Sequence, residues 1–341
     1  FFIFFDTFSY LYIAHCELIV SKKMKNVAFF AFLAGILLLS LLACSSSKKS
    51  RAEMKVSYEP ETIVPDTFVL PRLPASLTDP NERAQYLIHH FWDRFDFSDS
   101  DLTTKPAITE QAFVDYIHLF SFLPAAESAA PMLRTLQRAE ADTTMYRYFV
   151  SLTEKYFYDP NSPVRNEEAY LPFALKHSKC QYLTEAMRQA YGYSARMCAL
   201  NRIGAPAADF SFTELSGRMK TLYGIKADLT LLFFSNPGCP ACKEIAEALK
   251  RDARINDLIG KRRLAIVNVY IDLEIAKWKA FAAGYPKNWH SGYDQKYVIR
   301  TDVLYNVRAI PSLYLLDKDK KVIMKDATQE NVLAYLDNLP D

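Results

Sequence analysis

The sequence predicts an α/β fold, a mixed central sheet with helices on both faces, preceded by an all-α helical region. Three observations lead to that class. Between residues 81 and 201 apolar side chains recur at three- and four-residue spacing, the habit of helices with one buried stripe. Beyond residue 203, two short apolar runs, 229–235 and 264–271, have the length and content of buried strands and alternate with helical stretches. The first run leads directly into Cys239-Pro240-Ala241-Cys242, two thiols at the head of a helix-compatible stretch.

Taken in order, residues 1–43 read as an upstream and export segment. Lys22, Lys23 and Lys25 precede an almost wholly apolar stretch that closes with Leu41-Leu42-Ala43-Cys44. A basic start, a short apolar run and a small residue before the cut are the parts of a signal peptide, with Met24 as its natural first residue. The run is short for a membrane span, which is the rival reading. Residues 44–80 read as a tether, because Ser45-Ser46-Ser47-Lys48-Lys49-Ser50 is followed by Pro60, Pro65, Pro71, Pro74 and Pro80. Prolines at that density favour extended backbone.

Residues 81–201 form the predicted helical domain of five or six helices. Leu87, Phe91 and Phe95 recur every fourth residue, and Phe113, Ile117 and Phe120 follow the same stripe. Breaks are expected at Ser98-Asp99, Pro106, Leu123-Pro124, Asp142-Thr143 and Asp159-Pro160. A single helix over 181–197 would hold Cys180 and Cys198 about 27 Å apart, too far for a disulfide. Both therefore read as small apolar residues. No nucleophile–base pair or phosphate loop stands out in this region.

Residues 202–341 form the predicted α/β domain. A hairpin is expected over 208–222, turning at Ser216-Gly217, and then strand 229–235, a helix from Cys239 to Lys250, a short helix over 254–259 and strand 264–271. Helical stretches at 275–281 and 298–305 precede strand 312–316, a turn at 317–320, strand 322–324 and a closing helix over 331–336. A helix start stabilises negative charge, so Cys239 is placed to react as a thiolate. Cys242 lies one turn on, on the same side, and can close a bridge with it.

The order of these elements, with Cys239-Pro240-Ala241-Cys242-Lys243 after the first buried strand and Ile310-Pro311 before the late one, resembles the thioredoxin fold. Pro311 lies 72 residues beyond Cys239, which leaves room for an insertion over 277–299 that carries Trp278 and Trp289. Gly204-Ala205-Pro206-Ala207-Ala208-Asp209-Phe210 is similar to the leader of membrane-tethered thioredoxin-like reductases of bacterial envelopes. Residues 158–168 and Tyr314-Leu315-Leu316-Asp317-Lys318 resemble a group of Bacteroidota lipoproteins in which a helical domain of undefined role precedes a thioredoxin-like one. Leu41-Leu42-Ala43-Cys44 resembles the bacterial lipobox, which implies a lipid on Cys44. The thioredoxin resemblance implies a cis Ile310-Pro311 peptide facing the cysteines and holding the substrate strand. Two departures from the pattern are visible. Gly238 stands where thioredoxins usually place Trp, and Phe233 stands where they carry a buried acid that takes the proton of the second thiol. Asp272 and Glu244 are the candidates left for that proton.

Other chemistry is poorly served. Formal net charge is +2, with 41 basic against 39 acidic residues, so no cationic excess points to nucleic acid. A zinc site needs a second cysteine pair or a histidine pair, and His89, His90, His118, His177 and His290 are scattered. The peroxiredoxin spacing would need Thr at 236 and Pro at 232, where Asn236 and Leu232 stand. His290 beside Trp289, and Trp278 with Phe281, read most simply as packing. Six cysteines in a chain of 341 residues are too few for a disulfide-stapled scaffold, so the fold rests on its cores. The expected function is that of an envelope-tethered thiol–disulfide oxidoreductase, chiefly a reductase. It needs no organic cofactor or metal, takes disulfide-bearing proteins as substrates and exchanges electrons with a membrane redox partner. The expected location is the periplasmic face of a membrane. The alternative is a binding lipoprotein, with a helical recognition domain on an idle thioredoxin-like platform.

Overall fold

The computed structural model describes residues 67–123 and 129–340. The predicted signal segment, Cys44, the start of the tether and the break expected at Pro124 lie outside the described residues. No helix among the described residues is long and apolar enough to cross a membrane.

Six α-helices make up the helical part among the described residues: α1 (Pro80–His90), α2 (Thr109–His118), α3 (Ala129–Ala139), α4 (Thr143–Thr153), α5 (Glu167–His177) and α6 (Glu185–Cys198). Short polar side chains start several of them. Asp79, Asp142, Asn166 and Thr184 each accept a backbone N–H of the first turn at α1, α4, α5 and α6, satisfying donors that would otherwise be orphaned. The core is aromatic, with Trp92 packed edge-on against Phe95, Tyr116 and Phe149. Phe68, within the proline-rich stretch, stacks on Phe91 at 4.9 Å between ring centres. The stripe of Leu87, Phe91 and Phe95 runs past the end of α1, because Phe91 and Phe95 enter the core from turns beyond His90. Helix α6 is shorter at its start than the predicted 181–197 helix, so Cys180 lies in the turn after α5. Both Cys180 and Cys198 are free thiols, and burial pushes the Cys198 thiol up to about 12.

His177 is buried between Tyr146, whose hydroxyl lies 3.1 Å from Nδ1, and Thr153, whose Oγ1 lies 3.2 Å from Nε2. Burial, aided by the charge of Lys176, lowers its pKa to about 3. An unfolded histidine titrates near ~6.5. Between those values the unfolded chain binds a proton that the folded chain does not, so stability is full above about pH 6.5 and falls as pH drops toward the folded value. Thermal unfolding should therefore shift down by several degrees between about pH 6.5 and pH 5. His177→Gln should flatten that slope, and an unchanged slope would place the acid sensitivity elsewhere.

The α/β part is built on one seven-stranded sheet. Its strands are β1 (Ser211–Glu214), β2 (Met219–Thr221), β3 (Leu229–Phe234), β4 (Leu264–Tyr270), β5 (His290–Tyr293), β6 (Ser312–Leu316) and β7 (Val322–Ala327), in the order β2-β1-β5-β4-β3-β6-β7. Strands β3 and β4 are parallel and buried along their whole length, which is why they read as unbroken apolar runs. Helices α7 (Pro240–Arg251), α8 (Ala253–Gly260) and α11 (Gln329–Asp337) join Leu231, Phe233, Leu313 and Leu315 on one face. Leu232, Phe234, Tyr314 and Leu316 face the opposite way, into a core shared with Phe210, Ile299 and Tyr305. The two-residue period of a strand separates these two sets.

Two stretches differ from expectation. The insertion, which holds α9 (Ile275–Ala282), also supplies β5, and β5 lies between β1 and β4. Its sequence, His290-Ser291-Gly292-Tyr293, has no apolar alternation to reveal a strand. It fits because Gly292 has no side chain, and a Cβ there would stand 2.5 Å from the Phe212 ring and 2.8 Å from the Thr213 carbonyl oxygen. The helix expected over 298–305 stops as α10 (Val298–Thr301), and Val303 follows in the left-handed region at φ 52°. A β-branched residue there ends the helical path. The leader 203–206 does not enter the hairpin. It bridges to Lys321 and Val322 at the edge of the sheet.

Candidate functional site

The site lies where the carboxyl end of β3 meets the start of β6. These strands are antiparallel, and their register sets Phe234 opposite Ser312. The turn leaving β3 and the loop entering β6 are therefore neighbours, although 71 residues separate Cys239 from Ile310. Parallel β4 flanks β3 on its other side, and the crevice beyond such strand ends is where α/β sheets place ligands.

Asn236 shapes the turn. Its side-chain oxygen accepts the Gly238 N–H at 2.8 Å, and its carbonyl accepts the Cys239 N–H at 3.0 Å. Its amide donates to Asp272 at 2.6 Å, and Arg300 donates to the other Asp272 oxygen at 2.8 Å. Asp272, a candidate proton acceptor in the sequence, is thus engaged in fixing the turn. Glu244, the other candidate, is exposed on α7. Phe233 is fully buried in the same core as Cys242.

Cys239 is the N-cap of α7. Its sulfur accepts the Cys242 N–H at 3.3 Å, and Pro240 follows at the first helical position, where its missing N–H costs nothing. Lys250 and Arg251 occupy the last turn, complementing the dipole at the other end. The Cys239 thiol also lies 3.6 Å from the Ile310 carbonyl oxygen, to which it donates. The Ile310–Pro311 peptide is cis. The four residues singled out in the sequence therefore converge, Cys239 and Cys242 on one side and Ile310-Pro311 on the other. Both cysteines are free thiols.

The two sulfurs sit in unlike surroundings. Cys239 is partly exposed, whereas Cys242 is 3% exposed and packed among Leu249, Leu313 and Phe233. Burial, then the adjoining Cys239 sulfur, pushes the Cys242 thiol far above its ordinary value. A partly exposed sulfur at a helix head with a buried, protonated partner one turn on is the asymmetry that sequential attack requires.

Sequence reasoning missed part of the site. Phe281 is not core but 54% exposed, and with Tyr285, Pro286, Ala246 and Pro237 it lines a cavity of about 190 Å³ that reaches Cys242. Helical spacing from Trp278, which is buried, pointed Phe281 inward, but the buried face of α9 is that of Trp278 and Ala282, and Phe281 lies outside it. The position left bare by Gly238 has a neighbour. A Cβ there would lie 3.3 Å from the Lys277 ammonium, so a lysine of α9 stands beside the turn that lacks the aromatic residue usual in thioredoxins. His290 is apart from the thiols, engaged with Lys220 at 3.0 Å and Glu214 at 3.8 Å.

A mixed sheet with a dithiol at the head of the helix after β3, opposed by a cis-proline loop, defines a thioredoxin-like protein. Comparison with known proteins agrees. The chain belongs to the thioredoxin-like proteins: one from Bacteroides caccae ATCC 43185 is 39% identical and superposes with a TM-score of 0.76, over 79% of this chain and 98% of its own. The C-terminal domain of an uncharacterized protein from Bacteroides fragilis NCTC 9343 is 45% identical over 40% of this chain and 99% of its own, with a TM-score of 0.40. The thiol-disulfide oxidoreductase ResA of Bacillus cereus (strain ZK / E33L) is 27% identical over 147 residues, 40% of this chain and 79% of that protein. Residues 43–197 match a family described as a domain of unknown function, DUF5106.

Proposed function

We propose that this protein is an envelope thiol–disulfide oxidoreductase, tethered through a lipid on Cys44, that reduces disulfides of protein substrates. The observation that carries the reading is the pairing of a partly exposed Cys239 sulfur, 3.6 Å from the Ile310 carbonyl, with a buried Cys242 whose N–H meets that sulfur at 3.3 Å.

In the proposed reaction the Cys239 thiolate attacks one sulfur of a substrate disulfide held along Ile310-Pro311. A Cys239–substrate disulfide forms, and the second substrate sulfur leaves as a thiolate and takes up a proton. Cys242 then loses its proton and attacks Cys239, the mixed disulfide breaks, and the substrate departs with two thiols. Two electrons have passed from the protein dithiol to the substrate, and an external dithiol donor at the membrane restores the pair. Reduction is the assigned direction because only Pro240 and Ala241 separate the cysteines, with no charged residue between them to favour the dithiol form strongly.

The reading is tested by insulin reduction with dithiothreitol as electron source. The chain should accelerate precipitation of the insulin B chain well above the dithiothreitol background. Equal, background rates for the native chain and for Cys239→Ser would favour the idle-platform alternative.

A further inference from the structure

The loop that opposes the thiols is held from outside its own domain. Glu167, the first residue of α5 in the helical part, is 4% exposed. Its Oε1 accepts from Asn306 Nδ2 at 2.7 Å and from Arg308 Nε at 3.0 Å, and its Oε2 lies 2.8 Å from the Lys325 ammonium. The Arg308 guanidinium lies 4.0 Å from the ring centre of Tyr158, also of the helical part. On the other side of the loop, Ser312 donates to Asp326 at 2.8 Å. Arg165, again from the helical part, donates to the Asp326 carbonyl at 3.1 Å and lies 3.4 Å from its carboxylate. Arg308 reaches the same carboxylate at 3.4 Å.

Ile310-Pro311 is thus bracketed two residues before and one residue after by side chains anchored to residues 158–167. A buried group of three cations and two carboxylates is costly to rearrange, because moving one member leaves another charge unpaired away from water. Such a cluster has few alternative geometries, and it fixes whatever chain segments carry its members. Strand β6 alone would hold the loop only from Ser312 onward.

We propose that Arg165 and Glu167 are positioning residues for the redox site: the helical part, whose family carries no assigned role, clamps the Ile310-Pro311 loop at the height where a substrate strand must lie beside Cys239. This rests on the exchange reading above. Glu167 acts through Asn306 and Arg308, and Arg165 through Asp326 and Ser312. Neither touches the sulfurs.

The test uses Glu167→Gln, which keeps the shape and removes the charge, and Arg165→Met as a second variant, in the full chain. With insulin as substrate, KM should rise about tenfold while kcat changes less than about twofold. Reduction of a small aromatic disulfide, which has no strand to lay on the loop, should be unaffected, as should iodoacetamide capture of Cys239. Hydrogen exchange at the amides of residues 308–313 should quicken about tenfold without a matching change in the β4 amides. Unchanged KM and unchanged exchange in both variants would overturn the clamp. A parallel loss of protection throughout the sheet would also overturn it, since the residues would then serve general stability. If the native chain reduces no disulfide, the exchange reading falls, and local hydrogen exchange still decides whether the clamp exists.

Discussion

Cys239→Ser should abolish disulfide exchange, lowering the insulin-reduction rate on the order of 10³-fold or more, to background. The attacking species is a thiolate, and a serine hydroxyl does not ionise in the working pH range or form a stable bond to a substrate sulfur. The same change should leave the fold intact. Cys239 caps α7 through its side chain, accepting the Cys242 N–H, and serine is among the preferred residues for that task. The thermal midpoint should therefore stay within a few degrees of the native chain. Activity lost with the fold retained isolates the chemistry. Activity retained would move the nucleophile elsewhere in the chain.

The second large effect is expected for Cys242→Ser. The first attack remains possible, because Cys239 stays partly exposed beside Ile310. Resolution does not, since it requires a second sulfur within reach of Cys239, and Cys242 supplies the only neighbouring thiol among the described residues. Turnover should fall toward the dithiothreitol background, and when the pre-reduced chain is mixed with insulin in the absence of dithiothreitol a covalent adduct of chain and substrate should accumulate, visible on a non-reducing gel and cleared by dithiothreitol. Absence of any adduct, with the native chain active, would exclude the two-step exchange. Because burial holds the Cys242 thiol protonated, resolution in the native chain should speed up as pH rises, and adduct lifetime should shorten in the same direction.

The parts of this fold that were legible in the sequence are those where one physical signal dominates. Strands β3 and β4 are buried on both faces and so are apolar throughout, and α7 begins at a cysteine followed by proline. The Cys239–Cys242 pair stood out by its residue types, and Ile310-Pro311 by its resemblance to the thioredoxin pattern. The misreadings arose where tertiary contacts decided. Strand β5 exists because Gly292 lets Phe212 and Thr213 come close, a fact of packing that no periodicity records. Phe281 shares a helical repeat with Trp278, yet the buried face of α9 runs through Trp278 and Ala282 and leaves Phe281 outside it. Of the acids offered for the Cys242 proton, Asp272 is bound by Asn236 and Arg300, and Glu244 faces solvent. Glu167 carries no sign of its role in the sequence, and only its approach to Asn306 and Arg308, 139 and 141 residues away, gives it one.

The most direct measurement is a redox titration of the native chain, equilibrated in dithiothreitol and glutathione buffers, quenched with an alkylating agent and weighed by mass spectrometry. The account predicts a single two-electron transition in which Cys239 and Cys242 lose alkylation together, with a midpoint nearer about −270 mV than about −120 mV, and no such transition in Cys242→Ser. Two cysteines that remain separately alkylatable across the whole series would contradict it.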